Sequence, residues 1–277
     1  MEFGKLYLIA TPIGNLEDIT LRAINTLKEI DIIAAEDTRH TLKLLNHLEI
    51  SKPLISYHRH NEEVKSKDLI EKLLSGKSIG VVTDAGTPGI SDPGEEIVKE
   101  AIKNGIQVIP IPGACAAINA LIASGLSTKE FIFFGFLPLN KKLRTQKFED
   151  IARQKKTIII YEAPHRIEAT LNEIKEKFGN IQIVLAKEIT KIHENFIRGT
   201  IEEVLEQIKD VRGEFILMFE MNGITETEEE ENNIKKLNID EQYKYFEEKG
   251  LSKKEIIKKI AKLQGVAKDE IYKKFLK

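Results

Sequence analysis

The densest concentration of chemically capable residues is Thr83-Asp84-Ala85-Gly86-Thr87-Pro88-Gly89-Ile90-Ser91-Asp92-Pro93-Gly94, directly after an apolar run. Three glycines and two prolines in twelve residues force the backbone into specific turns that a plain strand-to-helix connection does not need, so this is read as a ligand loop. Tyr161-Glu162-Ala163-Pro164-His165-Arg166 gathers a carboxylate, an imidazole and a guanidinium beyond another apolar run. It is suited to a charged ligand or to acid–base work; alternatively Pro164 starts a helix and Arg166 is simply solvated. Glu36-Asp37-Thr38-Arg39-His40 offers Asp37 as a ligand contact and Thr38 as a helix N-cap. Lys187-Glu188 is a further polar pair, or no more than a surface ion pair. Tyr57-His58-Arg59-His60-Asn61-Glu62 holds two histidines, but no second cluster supplies metal-ligand spacing, and no metal site is expected.

Two more loops follow apolar runs. Thr11-Pro12-Ile13-Gly14-Asn15-Leu16 lacks the G-x-G-x-x-G pattern; Pro12 has no N–H and only Gly14 permits close backbone approach, so it is a poor pyrophosphate cradle and alone reads as a turn. Ile111-Pro112-Gly113-Ala114-Cys115-Ala116 opens a helix rich in small residues, suited either to a flat ligand against the backbone or to tight helix packing.

The elements that must position these loops are legible as periodicity. Leu6–Ala10, Ile32–Ala35, Leu54–Tyr57, Ile79–Thr83 and Val108–Ile111 read as strands, and Leu21–Ile30, Thr38–Leu48, Glu62–Leu74 and Glu95–Lys103 as helices. That βαβ succession predicts a mostly parallel sheet covered on both faces, with ligands at the strands' carboxyl ends. Beyond it, strands at Phe131–Phe136, Thr157–Tyr161, Ile181–Ala186, Phe196–Arg198 and Phe215–Phe219, with helices near 145–154, 166–177 and 200–208, sit closer together and predict a mixed sheet. The expected division is 1–114 and 115–224 as two α/β domains, 225–231 as an acidic linker, and 232–277 as a small helical module with a helix from Ser252 and a turn at Gly265.

The formal net charge of -2 gives no global case for nucleic-acid binding. The charge is unevenly spread, however: residues 232–277 carry 13 lysines against 7 acidic residues, so the tail is basic after an acidic stretch, Glu226 to Glu231. A single cysteine, Cys115, excludes an internal disulfide and a thiolate-rich zinc site. No run of about 18 apolar residues appears, and the first ten residues lack the flanks of a targeting signal; a cytoplasmic protein with no membrane association is expected.

Taken together, LYLIATPIGNLEDIT (6–20), AAEDTRHT (34–41), SYHRHNE (56–62), VVTDAGTPGISDPG (81–94), IPGACAAINAL (111–121), FFGFLP (133–138), YEAPHR (161–166) and KEIT (187–190) resemble the tetrapyrrole methylase superfamily. The resemblance implies a two-domain α/β, class III methyltransferase fold with S-adenosylmethionine (SAM) held between the domains, and a helix-turn-helix-like tail. It is nearest to members acting on ribosomal RNA, which implies 2′-O-methylation of a cytidine in the decoding region of 16S rRNA, in the assembled small ribosomal subunit, by a homodimer. It also implies a cofactor pocket lined by Pro12, Ile13, Asp84, Gly86, Thr87, Ile90, Ala114, Cys115, Ala116, Tyr161, Glu162 and Pro164, with Glu214 a further candidate. Cys115 departs from the pattern, where related sequences often carry a small hydroxyl residue.

A ribose hydroxyl is a poor acid, so an acceptor for its proton should help. The sequence does not single one out: Asp37, Glu162 and Glu188 are the candidates, with His58 and His165 behind them and Lys187 as an amine alternative. Arg39, Arg59, Arg166, Lys253, Lys254 and Lys258 are candidates for phosphate contacts, and Tyr243, Tyr245 and Tyr272 for stacking on bases or packing the tail. Two other readings stay open. One is a relative methylating a small molecule such as a corrin precursor, or a protein side chain; the other is an RNA-binding protein with a vestigial cleft.

Overall fold

In the computed structural model, which describes residues 2–208, 213–221 and 234–275, the apolar runs of the first half form one parallel sheet. Its strands are β1 (Leu6–Ile9), β2 (Ile32–Ala35), β3 (Leu54–Ser56), β4 (Ile79–Val82) and β5 (Val108–Ile111), in the order β3-β2-β4-β1-β5. Helices α1 (Leu21–Glu29) and α2 (Thr38–His47) cover one face through Ala23, Leu27 and Leu45; α3 (Glu62–Leu74) and α4 (Glu95–Lys103) cover the other through Leu69, Leu73, Ile97 and Ala101. Burial on both faces is why β2 and β4 read as unbroken apolar runs. Three strands end one residue earlier than their apolar runs. At β3 the extra residue, Tyr57, is buried and still donates its N–H to the Ala35 carbonyl, 2.8 Å away, while its side chain enters the core beneath α3.

β4 and β1 are neighbours, but the chain leaves β1 toward β2 and leaves β4 toward β5, on opposite sides. Loops diverging from adjacent strand ends open a crevice at the carboxyl edge, where the glycine-rich loops lie.

The second sheet is mixed, as the closer strand spacing predicts. It runs β6 (Phe131–Phe136), β7 (Thr157–Glu162), β10 (Phe215–Glu220), β8 (Gln182–Lys187), β9 (Asn195–Thr200), with β6–β7 parallel and the other pairs antiparallel. Strict alternation sorts its side chains. Ile158, Ile160, Phe215, Leu217 and Phe219 face the core under α6 (Lys141–Ala152), α7 (Ile167–Phe178) and α8 (Ile201–Gln207). Ile159, Ile216 and Met218 face α5 (Ala116–Ser124), whose Ala117 and Ala120 let it lie close to the sheet. Ile13, from the loop after β1, joins that second core and so ties the two sheets into one unit made of residues 2–151 and 155–221.

Residues 234–275, together with 152–154, form a separate unit with its own core of Ile234, Phe246, Ile256, Ile257, Ile260 and Ile271. Its helices are α9 (Ile239–Glu248), α10 (Lys253–Gln264) and α11 (Lys268–Lys274). Ser252 caps α10 in a reciprocal box with Glu255, and Gly265 ends that helix at φ 69°, in the left-handed region glycine tolerates. The acidic stretch expected to be a linker, 225–231, lies outside the described residues. Among those described, no helix is long and apolar enough to cross a membrane.

Candidate active site

The loops after β1 and β4 are stitched together at their bases. Thr11 and Gly86 exchange both backbone hydrogen bonds, at 2.9 and 3.1 Å, and the buried Thr11 hydroxyl donates to the Thr83 carbonyl at 3.2 Å. Gly86 sits at φ 88°, and a Cβ there would lie 3.1 Å from the Ile13 methyl. The Thr87 hydroxyl continues the seam, donating to the Ala114 carbonyl at 3.0 Å. On the opposite side the Tyr161 hydroxyl accepts from the Ala117 N–H at 2.9 Å, doing for α5 what its N-cap, Cys115, does not do with its thiol. Phe133 and Phe136 meet the Tyr161 ring edge-on. Burial, first, and nearby charge drive the Tyr161 phenol far above its ordinary pKa, so it stays neutral.

These seams bound a cavity of about 430 Å³. Of the residues expected around a cofactor, Ile13, Asp84, Gly86, Thr87, Ile90, Cys115, Ala116, Tyr161, Glu162 and Pro164 line it. Pro12 does not: it is buried behind the Thr11–Gly86 bridge. Ala114 is also outside the lining and contributes through its carbonyl to Thr87. The lining adds Glu36, Ser91, Asp92, Phe136, Ile189 and Phe215, which sequence reasoning did not single out, and it includes Glu214. Phe136 had a signal. Gly135, at φ 62° inside a strand, marks the register shift that turns Phe136 inward, and an isolated strand glycine is a bulge signature.

The three carboxylates proposed as proton acceptors have other occupations. Asp37, not Thr38, is the N-cap of α2; its carboxylate takes the Arg39 N–H at 2.8 Å and the Arg39 guanidinium at 2.8 Å, bonds that hold it far below the usual carboxylate range. It lies off the cavity lining. Glu162 borders the cavity but its side chain is fully buried and engaged: Oε2 accepts from the Thr170 hydroxyl at 2.7 Å, and Oε1 from the Ala163 N–H at 2.9 Å, with Arg166 Nε at 3.2 Å. Glu188, at φ 51°, accepts from Lys191 at 2.9 Å and from the Glu214 N–H at 3.1 Å, which fixes the turn after β8. Burial raises its pKa, but those bonds outweigh burial and leave it below the ordinary value. Lys187 lies over the Phe215 ring, 5.8 Å from its centre, and is not in the cavity lining. His165 is exposed and outside the lining, whereas His58 is half-buried with a buried, unpartnered Nδ1.

Acidic groups cluster instead at the β2 and β4 ends. Glu36 accepts from the Asp84 N–H at 3.4 Å while Asp84 accepts from the Asp37 N–H at 3.0 Å. Asp92 lies beside both; burial and repulsion from Glu36, against attraction to Arg59, push it up to about 6. Among the described residues five carboxylates line the cavity, from Glu36, Asp84, Asp92, Glu162 and Glu214, and no lysine, arginine or histidine does. Such a lining favours a cationic ligand and disfavours a phosphate-bearing one. No group of three or more His, Cys, Asp or Glu side chains among the described residues is placed to hold a metal ion.

The residues expected to meet phosphate divide by commitment. Arg166 is turned inward, donating to the Leu137 carbonyl at 2.9 Å and pairing with Glu162, so it braces the loop and is not solvated. Arg39 is exposed on its pair with Asp37, and Arg59 is exposed while donating to the Ser91 carbonyl. In the helical unit Lys254 and Lys258 are exposed, and Lys253 reaches the Phe275 carbonyl at 3.3 Å. Lys258, Lys262 and Lys268 border one shallow depression. Tyr243 packs on Phe275 and Tyr245 on Phe246, which leaves Tyr272, 44% exposed, as the tyrosine open to a base.

Residues 5–205 match the profile of the family described as Tetrapyrrole (Corrin/Porphyrin) Methylases. The chain is 51% identical to the ribosomal RNA small subunit methyltransferase I of Halalkalibacterium halodurans, covering 97% of this chain and 93% of that one. It is 49% identical to the protein of the same name from Bacillus subtilis, covering 98% and 94%. Among solved structures, it resembles a uroporphyrin-III C-methyl transferase from Thermus thermophilus complexed with S-adenyl homocysteine, at TM-score 0.54 and 20% identity, over 78% of this chain and 97% of that one.

Proposed function

Because the chain belongs to the tetrapyrrole methylase family, and within it to the ribosomal RNA small subunit methyltransferase I group, we propose that it methylates a cytidine 2′-oxygen in the decoding region of 16S rRNA, using SAM. The cavity suits that cofactor on its own chemistry. Its volume falls in the range of small-molecule sites, its walls are largely apolar, and the charged groups that line it among the described residues are all acidic. When bound, SAM supplies an electrophilic methyl group on a cationic sulfur. Ile13, Ile90, Phe136 and Ile216 would form the apolar walls that exclude water, while the Thr11–Gly86 and Thr87–Ala114 seams fix the backbone that would hold the cofactor.

The observation that carries the acceptor is one of coverage. The family profile ends at residue 205, and the solved C-methyl transferase is nearly all matched by 78% of this chain, whereas the Halalkalibacterium halodurans and Bacillus subtilis rRNA methyltransferases match 97% and 98% of it. The basic helical unit is thus shared with those two rRNA enzymes, which supports an RNA acceptor, and a small-molecule methylase has no evident need of it. Lys254, Lys258, Lys262 and Lys268 are its phosphate contacts, and Arg39 and Arg59 those of the α/β unit, in a homodimer that works on the assembled small subunit.

The test uses radiolabelled SAM with small subunits from cells lacking this protein, with naked rRNA and a corrinoid precursor in parallel. Label in the particle's RNA, at one nucleotide resistant to alkaline cleavage, is the expected result. Label on the corrinoid, or on a ribosomal protein, would overturn the acceptor while leaving the cofactor in place.

A further inference from the structure

We propose that the Asp92 carboxylate is the catalytic proton acceptor for the nucleophilic hydroxyl, a role resting on the methyl-transfer reading above. Of the five carboxylates around the cavity, four are hydrogen-bonded within the protein: Glu36 to the Asp84 N–H, Asp84 to the Asp37 N–H, Glu162 to Thr170, and Glu214 to Lys191. Among the described residues nothing donates to Asp92. It is the lining carboxylate with neither oxygen engaged by a donor among the described residues.

Its backbone is nevertheless held. Ser91 sits at φ 65°, a conformation a non-glycine residue keeps only when its surroundings impose it, and the Arg59 guanidinium donates to the Ser91 carbonyl. The Gly89 N–H closes the loop on the Pro93 carbonyl at 3.1 Å, and Pro93 and Gly94 are buried. A Cβ on Gly135, at the β6 bulge, would come 3.2 Å from the Ser91 hydroxyl, so the second sheet packs against the same turn. A group with free lone pairs on a locked turn is what a base needs: position without prior engagement.

The charged groups facing Asp92 are Glu36 after β2, Arg59 after β3 and Asp84 after β4, and the neutral Tyr161 phenol on β7 is the other titratable group there. Burial and Glu36 raise its pKa to about 6, high enough to take a proton effectively and low enough to be ionised at neutral pH. In the reaction the hydroxyl oxygen forms its bond to the methyl carbon as the methyl–sulfur bond breaks and its electron pair stays on sulfur. The hydroxyl proton passes to an Asp92 oxygen and then to solvent.

Asp92→Asn in the full chain tests this, read by single-turnover rate, S-adenosylhomocysteine affinity, Tm and pH profile. The rate is expected to fall by about 100-fold or more, the usual worth of a positioned base. Affinity should hold within about twofold, far less than the tenfold that 1.4 kcal/mol would produce. The wild-type rate should rise with pH through about 6 and level off, a limb the variant lacks. Because the raised pKa means that ionised Asp92 costs the folded state stability as pH rises from about 4 to 6, asparagine should not lower Tm at pH 7. A retained rate overturns the proposal, as does weakened cofactor binding with an unchanged maximal rate, which would make Asp92 a cofactor contact. The wild-type label position tests the acceptor; the variant-to-wild-type ratio, on whichever acceptor the wild type methylates, tests Asp92.

Discussion

Gly86→Val is expected to weaken S-adenosylhomocysteine binding by about 100-fold, close to 2.7 kcal/mol. A β-branched residue at φ 88° is forced out of its allowed region, and the new Cβ would press on Ile13 at 3.1 Å. The chain must then rotate away, breaking the reciprocal Thr11–Gly86 pair that joins two walls of the cavity. Gly105→Val separates strain from site: Gly105 has φ 70° but no atom within 4 Å of an added Cβ, so this variant should lose some thermal stability and keep its affinity. Calorimetric titration of both variants decides the matter, and native affinity in Gly86→Val would show that the bridged loops do not shape the cofactor site.

Glu162→Ala should destabilise the protein by about 3–5 kcal/mol, the penalty for removing one partner of a buried charged pair. The loss strands the Thr170 hydroxyl, the Ala163 N–H and the Arg166 guanidinium, whose side chain is only 18% exposed. Arg144 is drawn in, since it donates to the Thr170 hydroxyl at 2.9 Å and to Glu173 at 2.6 Å. In a unit of this size Tm should fall on the order of 10 °C. A variant with wild-type Tm and no activity would instead return Glu162 to the role of base.

That contrast marks where the sequence stops being informative. Elements set by local spacing were legible in it: Ser252 and Glu255 stand three apart, and β2, and β10 up to its exposed last residue Glu220, are apolar because both faces are covered. The loops were recognisable as ligand loops for the same local reason, since Gly86 and Pro88 dictate turns wherever they occur. Which way a polar side chain points in such a loop depends on partners far along the chain. Glu162 is spent on Thr170 only because α7 follows at that angle, and Arg166 turns inward because the Leu137 carbonyl, 29 residues away, awaits it. Asp92 looks like any loop aspartate until Glu36, from another strand end, and Asp84, from the start of its own loop, are placed beside it.

The lone thiol offers the most direct test of the cofactor site. Cys115 is the chain's one cysteine, partly buried, and lines the cavity. The measurement is its rate of alkylation by N-ethylmaleimide with and without S-adenosylhomocysteine at ten times Kd. If the cavity holds the cofactor, alkylation slows roughly tenfold, following the fraction of unliganded protein. An unchanged rate while S-adenosylhomocysteine is demonstrably bound would place the cofactor elsewhere and contradict the account.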